Sequence, residues 1–237
     1  MALQGRVVEV AQITTAEIDR MYALMECYFA DVQRAIFDAD LAEKAWAILL
    51  HDTETGNLHG FSTLCLLEET VLGVPVRALF SGDTIIDRPF WGSLALERSW
   101  LRFLFDRIDA EPEYRWYWFL ISKGYRTYRY LPVFFHQYHP SPAPVPEFEQ
   151  AVLDGLARAK FGERYDPRTG IIRCRQDYRL RPGVSDISPR ELRDPRIAYF
   201  QQRNPGWVHG EELACLAELS RTNLRRCGHR LLGEVGS

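Results

Sequence analysis

Apolar positions change period along the chain, and each change marks an element. Residues 6–13, RVVEVAQI, are rich in β-branched side chains and predict an opening strand. Over residues 14–32 the period becomes helical. Ile18, Met21, Met25, Tyr28, Phe29 and Val32 keep helical spacing, and Thr14 with Glu17 has the spacing of a capping box. Three strand-like runs follow at 45–50, 59–67 and 76–87, separated by HDTETGNL and EETVLGVP. Gly, Asn and Pro in those short connections let the chain reverse, so the runs should pair antiparallel. A second helical period opens near Trp91. It places Leu94, Leu101, Leu104, Phe105 and Ile108 on one face, with Gly92 and Ser93 at its start. RWYWFLI (115–121) predicts a buried strand, and KGYRTYRYL (123–131) a further helix. Pro132 should end or kink that helix, because it has no N–H and crowds the turn before it.

Beyond residue 138 the pattern is less regular. HPSPAPVP (139–146) predicts an extended connection, PEFEQAVLDGLARAKFG (146–162) a helix, and GIIRCR (170–175) a strand. Pro182-Gly183 and Asp194-Pro195 mark an irregular stretch. EELACLAELSRTNLRRC (211–227) admits two readings, helix by residue type or a final strand in ELACLAEL.

With 237 residues, 46% of them apolar, the chain can build a sizeable core without disulfides or metal. A net charge of −3 gives nothing that draws it toward nucleic acid. The basic residues are almost all arginine, with lysine only at Lys44, Lys123 and Lys160. Arginine suits anion recognition, but coding bias of a GC-rich genome is the plainer account. Cys27, Cys65, Cys174, Cys215 and Cys227 are odd in number and form no C-x-x-C pair, so buried thiols are expected rather than disulfides or zinc. The six histidines form no metal-ligand spacing, and no metal is expected. No apolar run reaches the ~18 residues of a membrane helix. No signal peptide is apparent either, and a cytoplasmic protein is expected.

The order strand, helix, three meander strands, helix, strand, helix resembles the GNAT (N-acetyltransferase) superfamily over roughly residues 6–136. The resemblance implies an α+β fold of three layers: a mixed, mostly antiparallel sheet flanked by helices, splayed between its fourth and fifth strands where an acyl thioester inserts. Residues 1–140 would be the acyltransferase core, and 141–237 an extension completing the same domain. The implied co-substrate is acetyl-CoA or another acyl-CoA. An acyl carrier protein is an alternative donor. The acceptor would be a small-molecule amine or a protein, with no nucleic-acid or membrane partner.

Site residues follow in the same terms. Arg88, Gly92 and Ser93 stand where the family holds pyrophosphate, at a helix start whose unpaired N–H groups favour anions. Pro89, Phe90 and Trp91 make this loop bulkier than the family's. Gly82, inside an apolar strand, suggests a bulge or close backbone approach, and Gly82 with Thr84 would lie at the thioester. Alternation places Ser81 with Asp83 and Gly82 with Thr84, unless a bulge resets the phase. Asp83 either serves as general base or pairs with an arginine. Tyr128 or Tyr125, three apart on one helical face, would protonate the leaving thiolate, or both belong to the core. Two other functions remain open: a GNAT-like binding or regulatory module, its cleft filled by Trp91, Trp118 or Tyr128, and a single-stranded nucleic-acid binder stacking bases on YRTYRY.

Overall fold

The computed structural model describes residues 2–173 and 179–234. Cys174 and the end of the strand expected at 170–175 lie outside them. The elements in chain order are β1 (Leu3–Glu9), α1 (Thr15–Tyr28), α2 (Arg34–Ala42), β2 (Trp46–Asp52), β3 (Leu58–Val71), β4 (Val74–Ile86), α3 (Ala95–Ala110) and β5 (Arg115–Ser122). They continue with α4 (Tyr125–Tyr128), α5 (Tyr130–Phe134), α6 (Glu147–Phe161), β6 (Tyr165–Asp166), β7 (Ile171–Ile172), α7 (Pro195–Arg203), β8 (Glu212–Glu218) and α8 (Arg226–Leu232).

The strands form one sheet in the order β1-β2-β3-β4-β5-β8-β7-β6. Every neighbouring pair is antiparallel except β4–β5. The sheet is mixed and mostly antiparallel, as the resemblance implied, and its single parallel pair joins β4 to β5. The ambiguous segment at 211–227 resolves into β8 beside β5 and then α8. The tail therefore continues the same sheet.

Helices cover both faces. On one, α3, α5, α7 and α8 pack Leu101, Leu104, Leu131, Phe200 and Leu231 against Ile48, Leu79, Trp118 and Leu120. On the other, α1 and α2 bring Met21, Leu24, Phe37 and Leu41 onto Leu49, Phe61 and Ile85. Beside them α6 packs Val152 and Leu156 onto Phe80 and Phe119.

Local chemistry explains most boundaries. The Thr14–Glu17 capping box is present: Thr14 Oγ1 accepts the Glu17 N–H at 3.3 Å, and the Glu17 carboxylate accepts the Thr14 N–H at 2.9 Å. The β3–β4 hairpin turns on Leu72 (φ 49°) and Gly73 (φ 80°), both left-handed as a two-residue type I′ turn requires. Both strands run further into that hairpin than their apolar runs suggested, because ladder hydrogen bonds tolerate Glu68, Glu69 and Thr70 on it. Pro132 does interrupt its helix. Its ring crowds the carbonyl four residues back, at Tyr128, and the helix breaks into α4 and α5 at Arg129.

Three sequence readings are corrected. Leu94 lies at the N-cap of α3 and is 49% exposed, so the buried face runs through Leu96, Trp100, Leu101, Leu104 and Phe105. Helix α2 had no counterpart in the sequence reading. Asp194-Pro195 opens α7 rather than a loop: Asp194 caps the Arg196 N–H at 2.9 Å, and proline is tolerated at a first helical position.

Opposite Thr63, β4 carries both Gly82 and Asp83, because pairing steps from Leu64↔Ser81 to Ser62↔Thr84. This is a β-bulge. A Cβ at Gly82 would stand 2.6 Å from Thr63 Oγ1 and 2.9 Å from Lys44 Cε. Gly82→Ala is therefore expected to destabilise the protein by about 1–3 kcal/mol in urea unfolding, the usual cost of overpacking. An unchanged midpoint would show that Thr63 and Lys44 give way freely.

Candidate functional site

The bulge sets which way β4 points. Before it Phe80, and after it Ile85, face the α1–α2–α6 side, although one is even and the other odd. Phase is thus reset. Ser81 and Thr84 share the opposite face, where Thr84 Oγ1 lies 2.7 Å from Ser62 Oγ and Ser81 Oγ accepts the Trp118 indole N–H at 2.9 Å. Asp83 turns toward α2. The alternation expected for an unbulged strand does not hold here.

Parallel pairing of β4 with β5 stops at Ser81↔Leu120, while β4 runs on to Ile86 and β5 to Ser122. The strands part beyond that point, and a cavity of about 1050 Å³ occupies the slot. Gly82, Asp83, Thr84, Ile121 and Gly124 form its throat. On the α2–α6 side its wall includes Ile36, Asp40, Lys44, Phe80, Lys160 and Arg164. On the α3–α5 side it includes Trp91, Gly92, Ser93, Glu97, Arg126 and Tyr130.

Asp83 is the titratable group at the throat. Burial, reinforced by Asp40 and Glu212, raises its pKa to about 7 against the opposing pull of Lys44 and Lys123. A carboxylate so placed can take a proton near neutral pH.

Among the residues assigned to the phosphates, Gly92 and Ser93 reach the wall. Gly92 has φ 98°, so backbone geometry accounts for glycine there, and Ser93 Oγ accepts the Ala95 N–H at 3.3 Å. Arg88 does not line the cavity. Its guanidinium donates to the Gly183 carbonyl at 3.3 Å and lies 5.2 Å from the Trp91 ring. Trp91 borders the slot without filling it, because its indole N–H is held by the Ile86 carbonyl at 2.8 Å and Arg126 stacks on it at 4.4 Å.

The two tyrosines proposed as acids sit elsewhere. Tyr128 is fully buried, donates to the Pro140 carbonyl at 2.9 Å, and packs on Phe200 with ring centroids 5.7 Å apart. Tyr125 is buried and donates to the Glu191 carboxylate. Neither lines the cavity, and both rings are buried, which leaves only Tyr130 of YRTYRY on an open surface. Trp118 packs against Trp100 in the core, 4.5 Å between centroids, so the slot is not plugged by it.

Two other phenols do line the cavity: Tyr28, whose hydroxyl donates to Asp87 at 2.9 Å, and Tyr130. Burial, together with the neighbouring Glu97 carboxylate, pushes the pKa of Tyr130 up, so the proton stays on oxygen. Burial also raises the Glu97 carboxyl, although its own backbone N–H and Tyr130 oppose this. The sequence reading passed over Tyr130, Glu97, Asp40 and Glu212. Only the rarity of lysine hinted at the charged side of the cavity. Among the described residues there is no His/Cys/Asp/Glu group able to hold a metal ion, and no helix long and apolar enough to cross a membrane.

No protein-family model and no curated protein matches the chain. Solved structures similar in part include a probable N-acyltransferase from Enterococcus faecalis: 16% identity, TM-score 0.40, 54% of this chain and 31% of that one. Glucosamine-6-phosphate N-acetyltransferase from Arabidopsis thaliana is 15% identical with TM-score 0.36, over 51% of this chain and 82% of that one. Saccharomyces cerevisiae N-myristoyltransferase with bound myristoyl-CoA is 12% identical with TM-score 0.40, over 52% of this chain and 30% of that one. The chain thus spans under a third of the first and third of these proteins.

Asp83 also makes a stability prediction. An unfolded carboxyl titrates near 3.9, whereas the folded one titrates near 7. The folded state therefore binds the proton more tightly, and the native protein should lose stability as pH rises from about 4 to about 7. Asp83→Asn removes that titration, so the variant's stability relative to the parent should climb across this window and level off above it. Urea unfolding at pH 5 and pH 8 measures this. A difference independent of pH would contradict the raised carboxyl.

Proposed function

We propose that the protein is an N-acyltransferase that moves an acyl group from acyl-CoA, or from an acyl carrier protein, to an amine. One observation carries the reading: an open slot between β4 and β5, lined beyond Ser81 by the bulge and opening onto Asp83. A flat sheet would leave no room for an extended thioester arm. A binding or regulatory module would be favoured by a plugged slot, and this one is open.

Proton bookkeeping assigns the roles. The acceptor enters from the α2–α6 side and its nitrogen attacks the acyl carbon. As the C–N bond forms, Asp83 accepts a proton from that nitrogen. On the β5 side, β4 has no strand partner after Ser81, so main-chain donors near Gly82 can face the developing oxyanion. When the C–S bond breaks, Tyr130 donates a hydrogen bond to the departing sulfur, which takes its proton from there or from water. The donor arm would lie along Gly92, Ser93 and Tyr130, and Arg126 and Arg129 bring positive charge to that wall for phosphates. Of the sequence candidates, Asp83, Gly82, Gly92 and Ser93 keep places in this proposal, and Thr84 lines the throat without a role in it.

Thiol release from acetyl-CoA and longer acyl-CoAs, across a panel of amines, tests the reading. kcat/KM should rise with pH through about 7 as Asp83 ionises, and Asp83→Asn should lower kcat by about 10²-fold or more. Calorimetry that finds no binding of acyl-CoA of any chain length would sink the CoA-dependent reaction. A carrier-protein donor is tested separately, with acylated carrier protein as the substrate.

The tyrosines give a paired outcome. Tyr130→Phe is expected to lower kcat at least ten-fold, at a stability cost no greater than that of Tyr128→Phe. Tyr128→Phe is expected to leave kcat nearly intact while costing about 1–2 kcal/mol of stability, the value of a buried hydrogen bond. The reverse pattern would return the role to Tyr128.

A further inference from the structure

Of 29 basic residues only three are lysine, and Lys44, Lys123 and Lys160 all line the cavity. They come from three separate places: the turn before β2, the end of β5 and the last turn of α6. Coding bias makes lysine rare but does not collect its few instances on one wall. Each lysine faces a carboxylate. Lys44 Nζ lies 2.6 Å from Asp40, Lys123 Nζ 3.6 Å from Glu212, and Lys160 Nζ 3.9 Å from Glu43.

The three pairs are not equivalent. Lys44 is enclosed, its side chain 1% exposed, and also donates to the Asp40 carbonyl at 2.9 Å. Lys123 and Glu212 are both shielded, at 13% and 16%. Glu43, by contrast, is 68% exposed and holds Lys160 only at the limit of ion-pair distance. An exposed partner at that range contributes little. Arg164, four residues on, lines the same wall. Aromatic faces seat both cations: Lys160 Nζ lies 4.6 Å from the Phe80 ring, and the Arg164 guanidinium 5.2 Å from the Phe161 ring.

A wall shaped only for an amine and an acyl chain gains nothing from cations, since an ammonium repels the incoming amine. Two weakly compensated cations over aromatic rings instead suit an anion. Phe80, beneath Lys160, precedes Asp83 by three residues on β4, roughly 10 Å of extended strand.

We propose that the acceptor is an amine bearing an anionic group, carboxylate or phosphate, with the nitrogen at Asp83 and the anion between Lys160 and Arg164. The spacing favours an amine and an anion separated by several bonds over an α-amino acid. This rests on the acyltransferase reading.

The test uses the full-length protein and matched amines: 6-aminohexanoate against its amide, 4-aminobutyl phosphate against 4-aminobutanol, glycine against glycinamide, and spermidine. Calorimetry of each amine runs beside thiol release from acyl-CoA. The anionic member should be preferred at least ten-fold within the first two pairs, by Kd and by kcat/KM. Glycine should show a smaller preference, and spermidine should bind poorly. The carboxylate and phosphate pairs together tell which anion the site takes. Lys160→Gln should collapse the preference by raising KM for the anionic member at least five-fold with kcat little changed. Lys160→Arg should restore it, which a purely structural loss would not allow.

Equal use of neutral and anionic members, or loss of both alike in Lys160→Gln, overturns the proposal while turnover leaves the acyltransferase reading standing. Absence of acyl-CoA binding strikes the CoA-dependent version of that reading instead, and the amine calorimetry still reports whether an anionic group is recognised.

Discussion

Two adjacent strands that stop pairing partway along their length organise this protein. From Val76 to Ser81 β4 runs hydrogen-bonded beside β5, and beyond Leu120 the partnership ends. The bulge at Gly82–Asp83 accompanies that parting, adding local twist where two residues of β4 oppose one of β3. Its effects spread outward. Asp83 turns toward α2, Thr84 turns away toward Ser62, and the space between strands becomes the cavity. Glycine is required at the bulge by contact, because Thr63 and the Lys44 chain occupy the volume of a Cβ. Backbone polar groups unpaired in this way are costly in a core unless something else meets them, which makes the slot a natural place for an extended polar arm.

The two openings of the cavity differ chemically. The α3–α5 side carries Trp91, held between Arg88 and Arg126, together with Tyr130 and Glu97. The α2–α6 side carries two lysine–carboxylate pairs that act on a carboxyl kept partly protonated by burial, with the Lys160–Glu43 pair further along the wall. Opposite charges at short range limit the cost of enclosing either sign. They also make the raised pKa of Asp83 a balance, since Asp40 and Glu212 push up while Lys44 and Lys123 push down. Reactivity at the throat therefore depends on residues from α2, β4, β8 and two connecting turns, and no single segment contains the arrangement.

Much of the frame was legible along the chain, because it is written in local rules. The capping box of α1, the alternation of the meander and the interruption before Pro132 each depend on residues within a few positions of one another. Gly82 could be singled out because glycine is out of place in an apolar strand. Its direction could not, since a bulge changes the phase of everything after it. Helix α2 was missed because its buried stripe consists mainly of Phe37 and Leu41, too brief to stand out. Tyr130 was passed over, although two positions after Tyr128 on a helix it points about 200° away: Tyr128 is in the core and Tyr130 lines the cavity.

By itself the sequence determined most of the element order up to about residue 136, the antiparallel meander and the strand that would distort, since propensity, turn chemistry and hydrophobic period act over short distances. Tertiary structure alone decided which residues meet. Lys44, Asp83, Lys123, Lys160 and Glu212 span most of the chain, and only the sheet order β4-β5-β8, with α2 and α6 packed across one face, gathers them about one throat. The physical reason is that burial and charge coupling act through space. A lysine's partner, a carboxyl's pKa and a phenol's exposure have no value until the fold has closed around them.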